Sequence, residues 1–417
     1  MNILLLTAYF PPDIGSAAHL FYELGTALVE RDYRVTVLTG MPGYHAQGPL
    51  DRYKRKVWIK EKVKGISVVR IVLPRFARHL MVGRALWQFT TATAFLLAGL
   101  CLRRHDVAIV YSPPLPLGLT AWALRRLRGI PFILNVQDLF PQSIVDLGLL
   151  KNRWIIRLFE AMECFIYRQA NAITVHSPGN RQHIVGKGTA AHKVTAIPNW
   201  VDTDFILRAD RMNGFREEHG LDDAFVISFA GILGYSQDLD VVLDAAALLS
   251  AYDDILWLIV GDGVKKTHLE LRAQQMNLSN VRFLPLQPRK GYPAVLHASD
   301  VCLVTLHAGV STPVVPSKIL SSMAAGRPVV AALNLDGDAP RLIAEARCGL
   351  CVPPEEPHAL AEAVLRLYRD AGLRERMGSN GRRYVEVNHT PQVAARQYAG
   401  LLEEVAGVQP GKWVRGG

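Results

Sequence analysis

Cysteine is scarce in this chain. Its 417 residues hold five, an odd number without disulfide-like spacing, which excludes a disulfide scaffold and points to a reducing compartment. Cys348 and Cys351 form a CxxC, but no second ligand pair and no thioredoxin-like context accompanies it, so it reads as packing in a strand and turn. Phosphate-loop and dinucleotide signatures are missing too. There is no GxxxxGK[ST], and no complete GxGxxG follows the first strand-like run, which argues against ATPases and dinucleotide enzymes. The thirteen histidines are scattered; His19, His45, His176 and His307 read as packed or solvated, and no metal site is expected. Met1-Asn2 leads straight into the strand-like residues 3–7 rather than into a secretory leader, so the cytoplasm is the expected compartment.

What is abundant is positive charge in one place. Eleven Lys or Arg (52, 54, 55, 56, 60, 62, 64, 70, 75, 78 and 84) stand against one acid, Glu61. That excess equals the net charge of +10, and the rest of the chain carries 36 basic and 36 acidic residues. Residues 85–102 then run for eighteen positions without a charge, with Trp87 near their start and Arg103-Arg104 at their end. A basic segment beside an apolar one is the pattern of an element drawn to an anionic membrane surface, here over 52–102. A buried helix behind a solvated basic loop is the alternative. A spanning helix is disfavoured, because eighteen residues including Gln88 are marginal. Duplex nucleic acid also attracts such clusters, but the apolar neighbour speaks against it, and no nucleic-acid partner is expected.

The length calls for two cores of about 200 residues each. Strand-like runs at 3–7, 34–39, 67–72, 107–111, 132–136 and 172–176 alternate with helical ones, notably 17–31 and 152–169. After a polar, turn-rich stretch at 202–222 the alternation restarts, with strands at 225–230, 255–260, 281–283, 301–305 and 329–332 and helices near 239–252, 265–276 and 294–298. Such alternation predicts an α/β fold of two Rossmann-like domains facing across a cleft. The expected boundaries are 1–202, 203–390, and a last helix and tail over 391–417.

Three strand-to-helix loops of the second half share a character. Gly231 and Gly234, in the loop 230–238, let backbone approach a ligand; Gly261 and Gly263 do the same at the next strand end. The third loop opens a short helix with Ser317 as N-cap and Lys318 beside it. A lysine there opposes the helix dipole, which favours cations at the other end. A bound anion removes the conflict, and a diphosphate spanning the three loops fits. In the first half, Gln137 and Asp138 follow the strand 132–136 at its carboxyl end; Asp138 reads either as a cleft residue or as the N-cap of a short turn.

The ordered stretches FPPDIGS, TGMPGY, YSPPLPLGL, VQDLFPQS, IPNWVDTDFI, GILGYSQDLDVVLDAA, LIVGDG, RFLPLQP and VPSKILSSMAAGRPVV resemble glycosyltransferase family 4. They are similar in particular to its branch for bacterial O-antigen and colanic-acid-type polysaccharides, including N-acetyl-L-fucosamine transferases. The likeness runs from residue 1 to about 402. It implies a GT-B fold, with an acceptor domain, a nucleotide-sugar domain and a last helix crossing back to the first. It also implies transfer from a nucleotide sugar, such as a UDP-sugar, to a polyprenyl-diphosphate-linked acceptor on the cytoplasmic face of the inner membrane, with retention, without metal and without another cofactor.

Residue by residue, the resemblance puts Gly15 and Ser16 in the glycine-rich loop near the donor phosphate, with Ser16 where a second glycine is usual. Gly231, Gly234, Gln237, Gly261, Gly263, Leu286, Ser317, Lys318 and Ile319 fall at donor-binding positions, and Asp138, Gln137 and Lys318 at catalytic ones. Ile232 replaces a usual Asn, Gln137 stands where many members carry a histidine, and the two family glutamates fall near Thr312 or Pro313 and at Ser321. Lys318 is then nearly the only formal cation at the phosphates. A non-catalytic nucleotide-sugar-binding scaffold and a nucleotide-sugar epimerase are the alternative functions.

Overall fold

The computed structural model describes all residues except 44, 45, 47–49, 75, 77–80 and 408–417. His45, Arg75, Arg78 and the end of the expected tail lie outside the described residues. The chain divides into two compact units. One comprises Met1–Val145, Leu150–Asn199 and the chain from Pro391 onward; the other comprises Asp146–Leu149 and Trp200–Thr390.

The first unit runs β1 (Asn2–Leu6), α1 (Ser16–Val29), β2 (Arg34–Gly40), β3 (Trp58–Val63), β4 (Ile66–Ile71), α2 (Met81–Cys101), β5 (Val107–Ser112), α3 (Leu117–Arg128), β6 (Phe132–Val136), α4 (Gln142–Asp146), α5 (Arg153–Gln169), β7 (Ala172–Val175), α6 (Pro178–Gly186) and β8 (Val194–Ala196). Its sheet has the order β3-β4-β2-β1-β5-β6-β7-β8. Every residue of β5, β6 and β7 is buried, as a parallel sheet covered on both faces requires. Helices α2, α3 and α5 share one core with the sheet, through Phe95, Leu124 and Ile166 among others.

Among the described strands only β3 runs antiparallel, pairing Trp58 to Val63 against Ile71 to Ile66. Its sequence, WIKEKV, reads as charge rather than as strand. Yet an edge strand keeps one row of lysines, Lys60 and Lys62, in water, and a charged edge deters pairing with another chain. The basic cluster is also not all surface. Arg70 is fully buried, paired through Nε to Glu61 at 2.6 Å, and bonded to the carbonyls of Pro11 and Gly40.

Residues 85–102 fall almost wholly in α2, and the alternatives divide between its faces. Trp87, Phe95 and Ala98 turn inward, whereas Leu86, Phe89 and Leu97 are exposed. Trp87 stacks on Tyr9 at 5.9 Å, so it is a core residue and not an interfacial anchor. Among the described residues no helix is long and apolar enough to cross a membrane.

The second unit runs α7 (Gly214–His219), β9 (Phe225–Ile232), α8 (Asp240–Leu248), β10 (Ile255–Asp262), α9 (Lys266–Gln275), β11 (Val281–Leu284), α10 (Tyr292–Ala298), β12 (Val301–Thr305), α11 (Ser317–Ala324), β13 (Val329–Ala332), α12 (Asp338–Ala346), β14 (Gly349–Val352), α13 (Pro357–Arg369) and α14 (Ala371–Asn388). Its sheet is parallel in the order β11-β10-β9-β12-β13-β14. Cys348 and Cys351 are free, and burial raises their thiols to about 12 and about 11. Thiols so poor in thiolate suit packing rather than redox or metal work.

The last helix, α15 (Pro391–Ala406), belongs to the first unit. Its Tyr398 is buried, accepts from Asn135 Nδ2 at 2.8 Å and lies 3.0 Å from Thr174 Oγ1. Tyr33 of the first unit donates to its Glu403 at 2.9 Å.

Candidate active site

In an open α/β sheet, ligands bind at the carboxyl ends of the strands, where the strand order reverses. In the second unit this switch falls between β9 and β12. Gly231 lies at the end of β9, the loop after it carries Leu233 to Asp238, and the segment after β12 leads into α11 and Lys318. His307, just past β12, donates its backbone N–H to Ser236 O at 3.0 Å, so the two segments meet.

Lys318 lies at the start of α11. Its Nζ stands 4.9 Å from the Phe229 ring centroid, a cation–π contact, and it has no carboxylate partner among the described residues. The residue is half-buried, and desolvation by the protein around it lowers its pKa from 10.5 to about 8. A desolvated ammonium at the positive end of a helix, with no counter-charge among the described residues, is unfavourable alone; an anion held there relieves both penalties.

Gly231 makes this placement possible. It takes φ +146°, and a Cβ on it would come within 2.6 Å of Lys318 Cε. The lysine stem thus crosses the face of the strand end where any side chain would stand. Gly261 and Gly263 have reasons internal to the fold, since a Cβ would strike the carbonyl of Gly231 at 2.0 Å and that of Leu233 at 2.4 Å. At Gly234 a Cβ would make an ordinary contact with Ile232 Cγ2 at 3.9 Å.

Other expectations land differently. Ser317 is the first helical residue rather than the N-cap. Pro316 (φ −59°, ψ 129°) takes that position, with no side-chain cap bond, because extended backbone suits the residue before a helix and leaves Ser317 exposed. Ile319 is fully buried in the core under α11, and its amide donates to Pro316 O at 3.0 Å, so it offers packing beneath Lys318. Leu286 is half-buried in the segment after β11. Ser321 bonds back to Ser317 O at 3.2 Å. Gln237 Oε1 and Asp238 Oδ2 are buried without partners, and burial raises the Asp238 carboxyl despite the bond its other oxygen accepts from Val241 N.

In the first unit the order reverses between β1 and β5. Gly15, at φ +138°, is the N-cap of α1 with open space before it, and Ser16 begins the helix. One strand over, Gln137 exchanges two amide bonds with Asn199, at 3.0 and 2.8 Å, and donates to Asn135 Oδ1 at 3.1 Å. Asp138 follows; water reaches its side chain, yet the surrounding protein raises its pKa by desolvation. Among the described residues no group of three His, Cys, Asp or Glu is placed to hold a metal ion.

Residues 15–200 match the model of the glycosyl transferase 4-like domain, and residues 212–384 match that of the glycosyl transferases group 1. A glycogen synthase of Thermus thermophilus is 31% identical over 329 residues, covering 66% of this chain and 70% of that protein. The chain belongs to this glycosyltransferase family.

A relative in Escherichia coli K12, named as the colanic acid biosynthesis glycosyl transferase WcaI, is 26% identical over 95% of this chain and 98% of its own length. Among solved structures, Anabaena HepE in complex with UDP aligns with a TM-score of 0.72 at 18% identity, over 97% of this chain and 100% of HepE. That likeness shows the fold, which is GT-B. Within this glycosyltransferase, Gly231, Gly234, Gln237, Ser317 and Lys318 gather at the switch point of the second unit, and Gly15, Ser16, Gln137 and Asp138 lie along the carboxyl edge of the first. Sequence reading missed Asn199, the partner of Gln137, and the buried Asp238. Both sit inside stretches quoted for the resemblance, but only their burial and bonding single them out.

Proposed function

We propose that this glycosyltransferase moves an N-acetylated sugar from a UDP-sugar to a saccharide carried on a polyprenyl diphosphate, in the assembly of a bacterial surface polysaccharide. The reading rests above all on Lys318, an ammonium with no carboxylate partner among the described residues, at a helix N-terminus and laid across Gly231 at a switch point. The name of WcaI and the UDP in HepE point the same way. The C1–O bond to the diphosphate breaks while the acceptor oxygen bonds C1 on the same face. The acceptor proton passes to the departing phosphate oxygen, so the configuration is retained and no separate base or metal takes part. Lys318 and the first amides of α11 stabilise the charge gathering on the leaving group. Gln137, held by Asn199, and Asp138 orient sugar and acceptor. A lipid-linked acceptor calls for residence at the cytoplasmic face of the inner membrane.

A thermal-shift screen against nucleoside diphosphates and their sugars tests this. Ligand at 100 times its Kd stabilises by about 2.7 kcal/mol, and we expect a shift with uridine compounds that Lys318→Ala loses. No shift with any nucleotide would overturn the donor reading.

A further inference from the structure

The start of α5 carries a feature the transfer chemistry does not use. Trp154 is 77% exposed, Ile155 41% and Leu158 62%, although a 77% exposed tryptophan wastes the side chain with the largest apolar area. The opposite face of the helix is fully committed, with Phe159, Ile166 and Tyr167 in the core. Asn152 caps the helix, accepting from the amides of Trp154 and Ile155 at 3.0 and 3.3 Å, so the exposed turn is well formed. Around the apolar patch stand Lys151, Arg153 and Arg157, all exposed and none with a carboxylate partner among the described residues. No acid occupies the first turn. Arg157 stacks over Trp154 at 5.6 Å, which joins cation and aromatic in one surface.

Arg153, the first residue of α5, opposes the helix dipole as Lys318 does in α11, with Lys151 just before the cap and Arg157 one turn further on. Here too an external anion resolves the conflict, and here an apolar patch stands beside it. A second copy of the chain is a poor occupant, because a two-fold contact would set these same cations against one another. An anionic bilayer meets both parts at once. Its headgroups face the cations, while tryptophan and leucine enter the boundary between headgroups and acyl chains.

We propose that the first turns of α5, from Lys151 to Leu158, dock this protein on an anionic lipid surface, a role that the sequence pattern had assigned to residues 52–102. The inference rests on the reading of a lipid-linked acceptor, yet it is separable from donor binding. The whole chain is floated with vesicles of phosphatidylglycerol and phosphatidylethanolamine, and with vesicles of phosphatidylcholine alone. We expect binding to the first that weakens with salt. Each basic residue near the surface contributes about fivefold in affinity, so Arg153→Gln with Arg157→Gln lowers it about 25-fold. Trp154→Ser with Leu158→Ser removes binding at every salt concentration. Both variants keep the melting temperature and the uridine-nucleotide shift of the parent, because the altered side chains lie in water.

Equal binding by parent and variants would overturn the proposal, as would binding lost only when Lys60 and Lys62 are neutralised. A parent that ignores anionic vesicles also overturns it. So does a vesicle-free dimer, seen by ultracentrifugation, that these substitutions dissociate. Absence of a nucleotide shift would instead sink the donor reading and leave the docking face standing.

Discussion

Burial holds Lys318 at a pKa of about 8 in the free protein, and this makes donor affinity depend on pH in a calculable way. The ammonium is present below that value and disappears above it, while a bound diphosphate favours the charged form, so that above pH 8 the lysine takes up a proton on binding. If only the charged form binds well, the apparent Kd is the intrinsic value divided by the charged fraction. It is weakened about twofold at pH 8 and about tenfold at pH 9. Above that it levels off at the affinity of Lys318→Ala, about tenfold to a hundredfold weaker than the intrinsic value, since one charge-assisted bond contributes about 1.5–3 kcal/mol.

The same desolvation bears on the stability of the free protein. A lysine at about 8 when folded and 10.5 when unfolded costs stability while protonated, below pH 8, and the cost fades as pH rises from 8 towards 10.5. The shift corresponds to roughly 3 kcal/mol at most, and to about 1–2 kcal/mol once partial exposure is allowed for. Lys318→Met therefore raises the melting temperature of the ligand-free protein at pH 7 by about 2–8 °C while abolishing the pH dependence of binding. Titration calorimetry from pH 7 to 9.5 with an intact UDP-sugar, whose diphosphate diester does not titrate in this range, reads the first effect; calorimetric melting reads the second. A parent Kd flat across the range, or the same slope in the Lys318 variant, refutes the reasoning.

Gly231→Ala forces a Cβ to within 2.6 Å of Lys318 Cε at φ +146°; we expect a loss of about 1–3 kcal/mol in chemical denaturation and nucleotide affinity lowered as in Lys318→Ala. Asp138→Ala lowers the transfer rate with nucleotide Kd unchanged, and an unchanged rate removes Asp138 from the mechanism. Tyr398→Phe takes a hydroxyl from Asn135 and Thr174, costs about 1–2 kcal/mol in denaturant midpoints and loosens Gln137, so the rate falls more than donor affinity. Arg216→Met removes a fully buried guanidinium 2.7 Å from Asp300, leaves that carboxylate to Arg211 and the Val226 amide, deprives the carbonyls of Leu221, Ala224 and Ala298 of their donor, and destabilises by about 3–5 kcal/mol in urea unfolding.

Local periodicity carried most of the strands and long helices, because an apolar run flanked by turn residues reports its own burial. The strands at 132–136, 301–305 and 329–332 coincide with β6, β12 and β13. It failed where pairing alone makes the strand. β3 alternates charge with apolar residues at a sheet edge, and β8 has only three residues. The conflict between Lys318 and its helix dipole was legible from spacing, since a lysine near a helix start is a local fact. What resolves it was not: Phe229 and Gly231 lie on a strand nearly ninety residues earlier, and only the parallel register of β9 with β12 brings them under the lysine stem. Gln137 was likewise visible as a strand-end residue, whereas Asn199, which holds it, and Tyr398, which holds Asn135, come from distant segments. The docking face divides in the same way. The sequence determined that the chain carries basic and apolar surface together, because composition is additive. Which cations are buried, as Arg70 is, and which stand in water, as Arg153 and Arg157 do, was decided by tertiary packing, because burial depends on what the rest of the chain lays over each side chain.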